Sequence, residues 1–195
     1  MTLSKSKVLI TNGSSRTSYA ALRNISKKGI SCMSADIARV GMCQFSRFSK
    51  GSKIYSSHYK DEQKFVSDIS QIVKDNDITL LFPSHNETEI IAQNRHRFDS
   101  SVVSIIPDES HCRMFNNKSV SYDLVKDLGI PVPARLSYSD PGEISKLLVE
   151  AGLKRTVIKL LTGNSSKGVF YGESPAHTQS IVEDLISVFE LKENQ

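Results

Sequence analysis

Short apolar runs alternate along this chain with segments whose apolar positions recur every three or four residues. Residues 7–11, Lys-Val-Leu-Ile-Thr, predict a short buried strand that ends in Asn12-Gly13-Ser14-Ser15. Ala21, Leu22 and Ile25 keep helical spacing as far as Gly29, and residues 30–34 predict a second strand. Residues 36–59 show neither period, with Phe45, Phe48, Ile54 and Tyr55 as candidate anchors. Asp61 reads as the N-cap of a helix whose core face is Phe65, Ile69, Ile72 and Val73. A strand over 78–82, a helix from about Asn86 and a strand over 102–106 follow. Strand, helix and strand repeated in this way predict right-handed βαβ units and a parallel sheet, of about four or five strands at usual sheet sizes.

The pattern breaks at Asp108-Glu109-Ser110-His111, which predicts a division near residue 110. Beyond it, Val120, Leu124, Val125 and Leu128 mark a helix stopped by Gly129 and the prolines Pro131 and Pro133. Asp140-Pro141-Gly142-Glu143 has the order cap, proline at the first helical position, capping-box acid. Ser174-Pro175 repeats the device before a last helix through Ile181, Leu185 and Val188. Between them, two apolar runs flank the polar segment Gly163-Asn164-Ser165-Ser166-Lys167-Gly168, the pattern of a β-hairpin. The expected architecture is α/β: a parallel-sheet domain over 1–110, then a smaller α+β unit over 111–195.

Composition narrows the classes. The 195 residues are 38% hydrophobic and 24% charged, with a formal net charge of +4, as in an ordinary globular protein large enough for one sizeable core or two small ones. The basic residues are scattered, which gives no electrostatic case for nucleic acid, and no apolar run reaches membrane-spanning length. Cys32, Cys43 and Cys112 lack Cys-x-x-Cys spacing and read as reduced thiols, and residues 1–7 lack a signal peptide's apolar segment. A cytoplasmic protein is expected.

The candidate chemistry centres on Lys159. An apolar run delivers this lysine to a loop bounded by Gly163 and Gly168, where an ammonium and unhindered backbone N–H groups can hold phosphate. The two glycines have P-loop separation, but Val169-Phe170 stand where Lys-Ser/Thr should be and a strand follows, so this is no Walker A loop. The plain alternative is a hairpin with a solvated lysine. Upstream, Lys118 opens the helix that ends in Leu128-Gly129-Ile130-Pro131-Val132-Pro133. Lysine, helix, Leu-Gly-Ile-Pro-Val-Pro, and then a strand ending in lysine before a glycine-bounded loop resemble the ATP-grasp ligases.

That resemblance covers nearly the whole chain. It implies a Rossmann-like parallel-sheet domain that helps hold a small carboxylate substrate, followed by the first lobe of the nucleotide domain. It further implies that Lys118, Lys159, Gly163, Asn164, Ser165, Ser166 and Gly168 contact ATP. Thr11-Asn12-Gly13-Ser14-Ser15 and Phe82-Pro83-Ser84-His85-Asn86-Glu87 most resemble carbamoyl-phosphate-synthase-like and carboxylate–amine ligases. Such enzymes form an acyl-phosphate from a carboxylate and ATP, then pass the acyl group to an amine. The family's second lobe, with its adenine hinge and magnesium ligands, has no counterpart in these residues. Magnesium is therefore expected only with that lobe, from a longer ligase or a second polypeptide, and the chain alone is expected to bind ATP phosphates without turning ATP over. A homo-oligomer is an alternative assembly.

Two rival classes stay open. One is a non-catalytic nucleotide- or metabolite-binding module. The other is a dinucleotide-dependent enzyme resting on Gly13 and Asp36, half of a fingerprint whose other glycines are missing. Asn12, Gly13 and Ser14 end a parallel strand, where open α/β sheets place ligands, and Glu87 follows a later strand at what should be the same edge, where it or Glu89 can orient a substrate amine or hydroxyl. The plain readings are a strand-to-helix turn, and Asn86 capping a helix with Glu87 and Glu89 in its first turn. No histidine pairs with a cysteine or acid at zinc spacing, and Arg95-His96-Arg97 reads as a solvated helix end.

Overall fold

The computed structural model describes residues 6–163 and 168–189. The chain divides into two compact units, residues 1–112 and 113–195.

The first unit is built on a parallel sheet of four strands in the order β3-β2-β1-β4. β1 is Lys7–Ile10, β2 Ser31–Asp36, β3 Ser52–Ile54 and β4 Leu80–Phe82. β1 is central, pairing in parallel with β2 through Leu9 and Met33 and with β4 through Leu9 and Leu81. Side-chain alternation along β1 and β2 explains the two cores. Leu9, Met33 and Ala35 face one side and pack with Phe65, Ile69 and Ile72 of helix α2 (Glu62–Asp75) and with Ile91 of helix α3 (Asn86–Gln93). Val8, Ile10 and Cys32 face the other side and pack on Leu22 of helix α1 (Arg16–Lys27). Phe65, Ile69, Leu9 and Leu22 are fully buried, so the helical and strand periods read from the sequence are the ones that fill the core. Asp61 caps α2 by accepting from Lys64 N, as its position predicted.

Three details depart from expectation. β3 lies inside the stretch without a period, and it is recruited by pairing with Ser34, Ala35 and Asp36 of β2. Residues 102–106 are turns, not a strand. Leu81 N donates to Val102 O at 2.8 Å, but the Arg95 guanidinium takes the Val103, Ile106 and Pro107 carbonyls that a strand would have offered to a neighbour. Arg95 is thus a structural clamp and not a solvated helix end. Third, the N-cap of α3 is His85, with φ 57° and ψ −140°, while Asn86 is already helical.

Helix α4 (Glu109–Asn116) contains the division between the units. In the second unit, helices α5 (Lys118–Asp127), α6 (Ile144–Glu150) and α7 (Pro175–Phe189) accompany an antiparallel hairpin of β5 (Thr156–Lys159) and β6 (Val169–Gly172). Ile144 and Leu148 of α6 and Val182 of α7 make its core, with Ile158 of β5 packed against them. α5 contributes no buried residue, and Val120 and Leu128 on its apolar stripe are exposed. Among the described residues no helix is long and apolar enough to cross a membrane.

Candidate functional site

In the second unit the hairpin decides where Lys159 points. Ile158 faces the α6–α7 core and the Thr156 hydroxyl lies 2.7 Å from that of Thr178, so alternation turns Val157 and Lys159 to the opposite, exposed side. Leu160 N donates to Gly168 O at 2.8 Å and closes the base of the loop. Gly163 has φ 117° and Gly168 φ 77°, conformations that favour glycine, and a Cβ on Gly168 would stand 2.8 Å from Leu160 Cδ1.

Lys118 is tied to the same loop. Its backbone N–H, one of the unpaired donors of the first turn of α5, donates to Leu161 O at 2.9 Å, and its Nζ donates to Gly163 O at 3.1 Å. The Asn117 side chain takes the next two donors, Ser119 N and Val120 N. Lys118, Lys159, Gly163 and Gly168 therefore gather at one end of the hairpin. Asn164, Ser165 and Ser166, with Lys167, lie outside the described residues.

The first unit holds a cleft of about 240 Å³ at the carboxyl ends of β1, β2 and β4, lined among others by Asn12, Asp36, Tyr55, His58, His85 and Glu87. Asn12, Ser14 and Glu87, expected from the sequence, line it; Gly13 is buried beside it, its N–H donating to Ala35 O at 3.1 Å. Asp36 is committed to shaping the loops: its carboxylate accepts from Ser14 N at 2.6 Å and Ala38 N at 2.8 Å. Asn12 and His85 both carry positive φ, 51° and 57°. Such backbone conformations persist only where their surroundings hold them, and both line this cleft.

Tyr55 and His58 are the residues that sequence reading missed. Tyr55 was expected only as an apolar anchor; its hydroxyl instead donates to Glu87 Oε1 at 2.6 Å and accepts from Asn12 N at 2.9 Å. No local pattern signals this, because β3 brings Tyr55 into place through pairing with β2. Glu87 is 4% exposed. Burial pushes its carboxyl up to about 7, against hydrogen bonding from Thr11 and Tyr55 and assisted by the nearby Asp36 charge. Its Oε2 is enclosed without a hydrogen bond of standard geometry, although the Thr11 hydroxyl also acts on the carboxyl. His58 Nδ1 stands 3.8 Å from Glu87 Oε1, and both His58 ring nitrogens are enclosed without a hydrogen bond. Burial lowers the pKa of His58, which favours the neutral ring. Glu87 thus belongs to a buried polar cluster, beyond the first-turn helix role that its position alone suggested.

No protein-family profile matches the chain, and no curated protein matches it by sequence. Solved structures do match it by fold. The biotin carboxylase domain of the Hydrogenobacter thermophilus 2-oxoglutarate carboxylase, in complex with MgADP, ADP and bicarbonate, aligns with a TM-score of 0.64 and 15% identity over 94% of this chain. N5-carboxyaminoimidazole synthetase from Staphylococcus aureus, complexed with ADP, aligns with a TM-score of 0.65 and 12% identity over 92%. An L-amino acid ligase from Bacillus licheniformis aligns with a TM-score of 0.61 and 10% identity over 93%. Over its length the chain has the fold of the corresponding portion of these ATP-grasp enzymes. This chain spans 42%, 44% and 42% of those three chains respectively, so it corresponds to less than half of each.

Proposed function

We propose that the chain is the N-terminal portion of an ATP-dependent carboxylate–amine ligase of the cytoplasm, with residues 1–110 as the domain preceding the nucleotide domain and residues 111–195 as the first lobe of the latter. The observation that carries the reading is the double tie of Lys118 to Leu161 and Gly163, which gathers a helix-start lysine, a strand-end lysine and a glycine-bounded loop on one ATP-grasp-like frame. Lys118 and Lys159 supply positive charge to the phosphates, and the Gly163–Gly168 loop supplies backbone N–H groups. Asn12, Ser14 and Glu87 belong to the substrate side. The reaction is activation of a small carboxylate as an acyl-phosphate and transfer of the acyl group to an amine.

Among the described residues no three His, Cys, Asp or Glu side chains gather as a metal site. Phosphoryl transfer rests on positioning and charge neutralisation. In this reading the chain alone grips phosphate without turning ATP over, and a second ATP-grasp lobe supplies the metal ligands. Calorimetry of the chain with ATP tests this. The expected affinity is no tighter than roughly millimolar, with magnesium-dependent tightening once a second ATP-grasp lobe is supplied. Phosphate release by the chain alone, or the absence of any ATP binding, overturns the reading; the latter leaves a metabolite-binding module.

A further inference from the structure

We propose that the cleft of the first unit recognises a primary ammonium group of the substrate, with the Glu87 carboxylate as its acceptor and the His58 ring beside it. This rests on the ligase reading only in calling the ligand a substrate.

Three observations point to a cationic hydrogen-bond donor and away from an anion. The cleft lining includes the acids Asp36 and Glu87 and contains no lysine or arginine. Asp36 accepts from two backbone N–H groups, whereas Glu87, a residue 4% exposed, keeps an enclosed Oε2 without a hydrogen bond of standard geometry, and both ring nitrogens of His58 beside it have none. An unpaired buried carboxylate oxygen is costly, and an ammonium, with its three donors, answers it. His58, neutral and with both nitrogens unpaired, offers a further lone pair within the same cluster. The terminal torsion of glutamate is soft, so a modest turn of the carboxylate presents Oε2 to a donor in the cleft. α3 begins here, but its first turn already carries Glu87 and Glu89, so its partial positive charge is already met by acids and is no vacant anion site.

The test is amide NMR of the chain titrated with L-alaninamide, L-alanine and propionate, which separate the ammonium from the carboxylate. L-alaninamide and L-alanine should produce saturable shifts at Asn12, Ser14, Ala38 and Glu87, and propionate none. Glu87→Gln should weaken both amines at least about tenfold, the scale of a lost charge-assisted hydrogen bond. Should Glu87→Gln fail to fold, Ala38→Trp, at an exposed position lining the cleft, should block the same shifts. Equal binding by propionate, unchanged binding by the variants, or no shift with either amine overturns the proposal. ATP titration, read at Lys118 and residues 160–163, reports separately on the ligase reading, so either can fail alone.

Discussion

The Tyr55 hydroxyl joins Glu87 to Asn12, donating to Glu87 Oε1 at 2.6 Å while accepting from Asn12 N at 2.9 Å. One phenol thereby couples the segment after β3, the turn after β1 and the first turn of α3. Tyr55→Phe keeps the ring packed on Phe65, whose centroid lies 5.2 Å away, but strips both hydrogen bonds. With Asn12 N left partly buried and unpaired, the expected cost is about 1–3 kcal/mol in denaturant unfolding. A change inside measurement error would show that Tyr55 serves by its ring alone.

Glu87 should make stability depend on pH in a defined direction. Its folded value of about 7 lies above the reference of 4.5, so the folded state holds the proton more tightly. The contribution is fully present below pH 4.5 and is lost as pH rises towards 7, where a buried charge must be carried. The loss amounts to roughly 3 kcal/mol. Glu87→Gln removes this slope, so its stability relative to the parent chain should rise by that order between pH 4.5 and 8. A pH-independent difference between the two proteins would refute the buried-acid assignment.

Much of the fold was legible because its rules are local. The faces of α1 and α2, the Asp61 cap and the hairpin all follow from spacing or cap chemistry. What escaped depends on pairing between distant segments. β3 has no apolar alternation of its own, and Ser52, Lys53 and Ile54 are exposed; only the β2 edge makes them a strand. Residues 102–106 read as a strand because Val102, Val103, Ile105 and Ile106 form an apolar run, yet Arg95 claims the carbonyls of Val103 and Ile106. For the sites, strand ends showed where Asn12, Glu87 and Lys159 stand. The tie of Lys118 to Gly163 and the Tyr55–Glu87 bond span long stretches of sequence and left no local sign.

Gly168 should tolerate no side chain. Its φ of 77° already disfavours other residues, and an added Cβ meets Leu160 Cδ1 at 2.8 Å and Cγ at 2.9 Å. Gly168→Ala should cost about 1–2 kcal/mol for the left-handed backbone alone. Hydrogen exchange localises the damage: the Leu160 amide, which donates to Gly168 O, should lose protection while the Leu9 and Leu81 amides of the first sheet keep theirs. Protection lost equally in both units would contradict a local effect.

The two lysines should separate under mutation because they stand in different surroundings. Lys159 is exposed on the outer side of β5, so Lys159→Ala should leave stability within about 0.5 kcal/mol of the parent. Its effect should fall on ATP, with affinity reduced about tenfold and the loss shrinking as salt screens the exposed charge. Lys118 does two things, since its Nζ also holds Gly163 O. Lys118→Ala should therefore weaken ATP binding and also lower the protection of the loop-base amide of Leu160, a change that Lys159→Ala should not produce. A double variant losing no more than either single variant would indicate that the lysines act on one phosphate contact. Unchanged ATP affinity in Lys159→Ala would remove this lysine from the phosphate site and leave Lys118 as a structural tie.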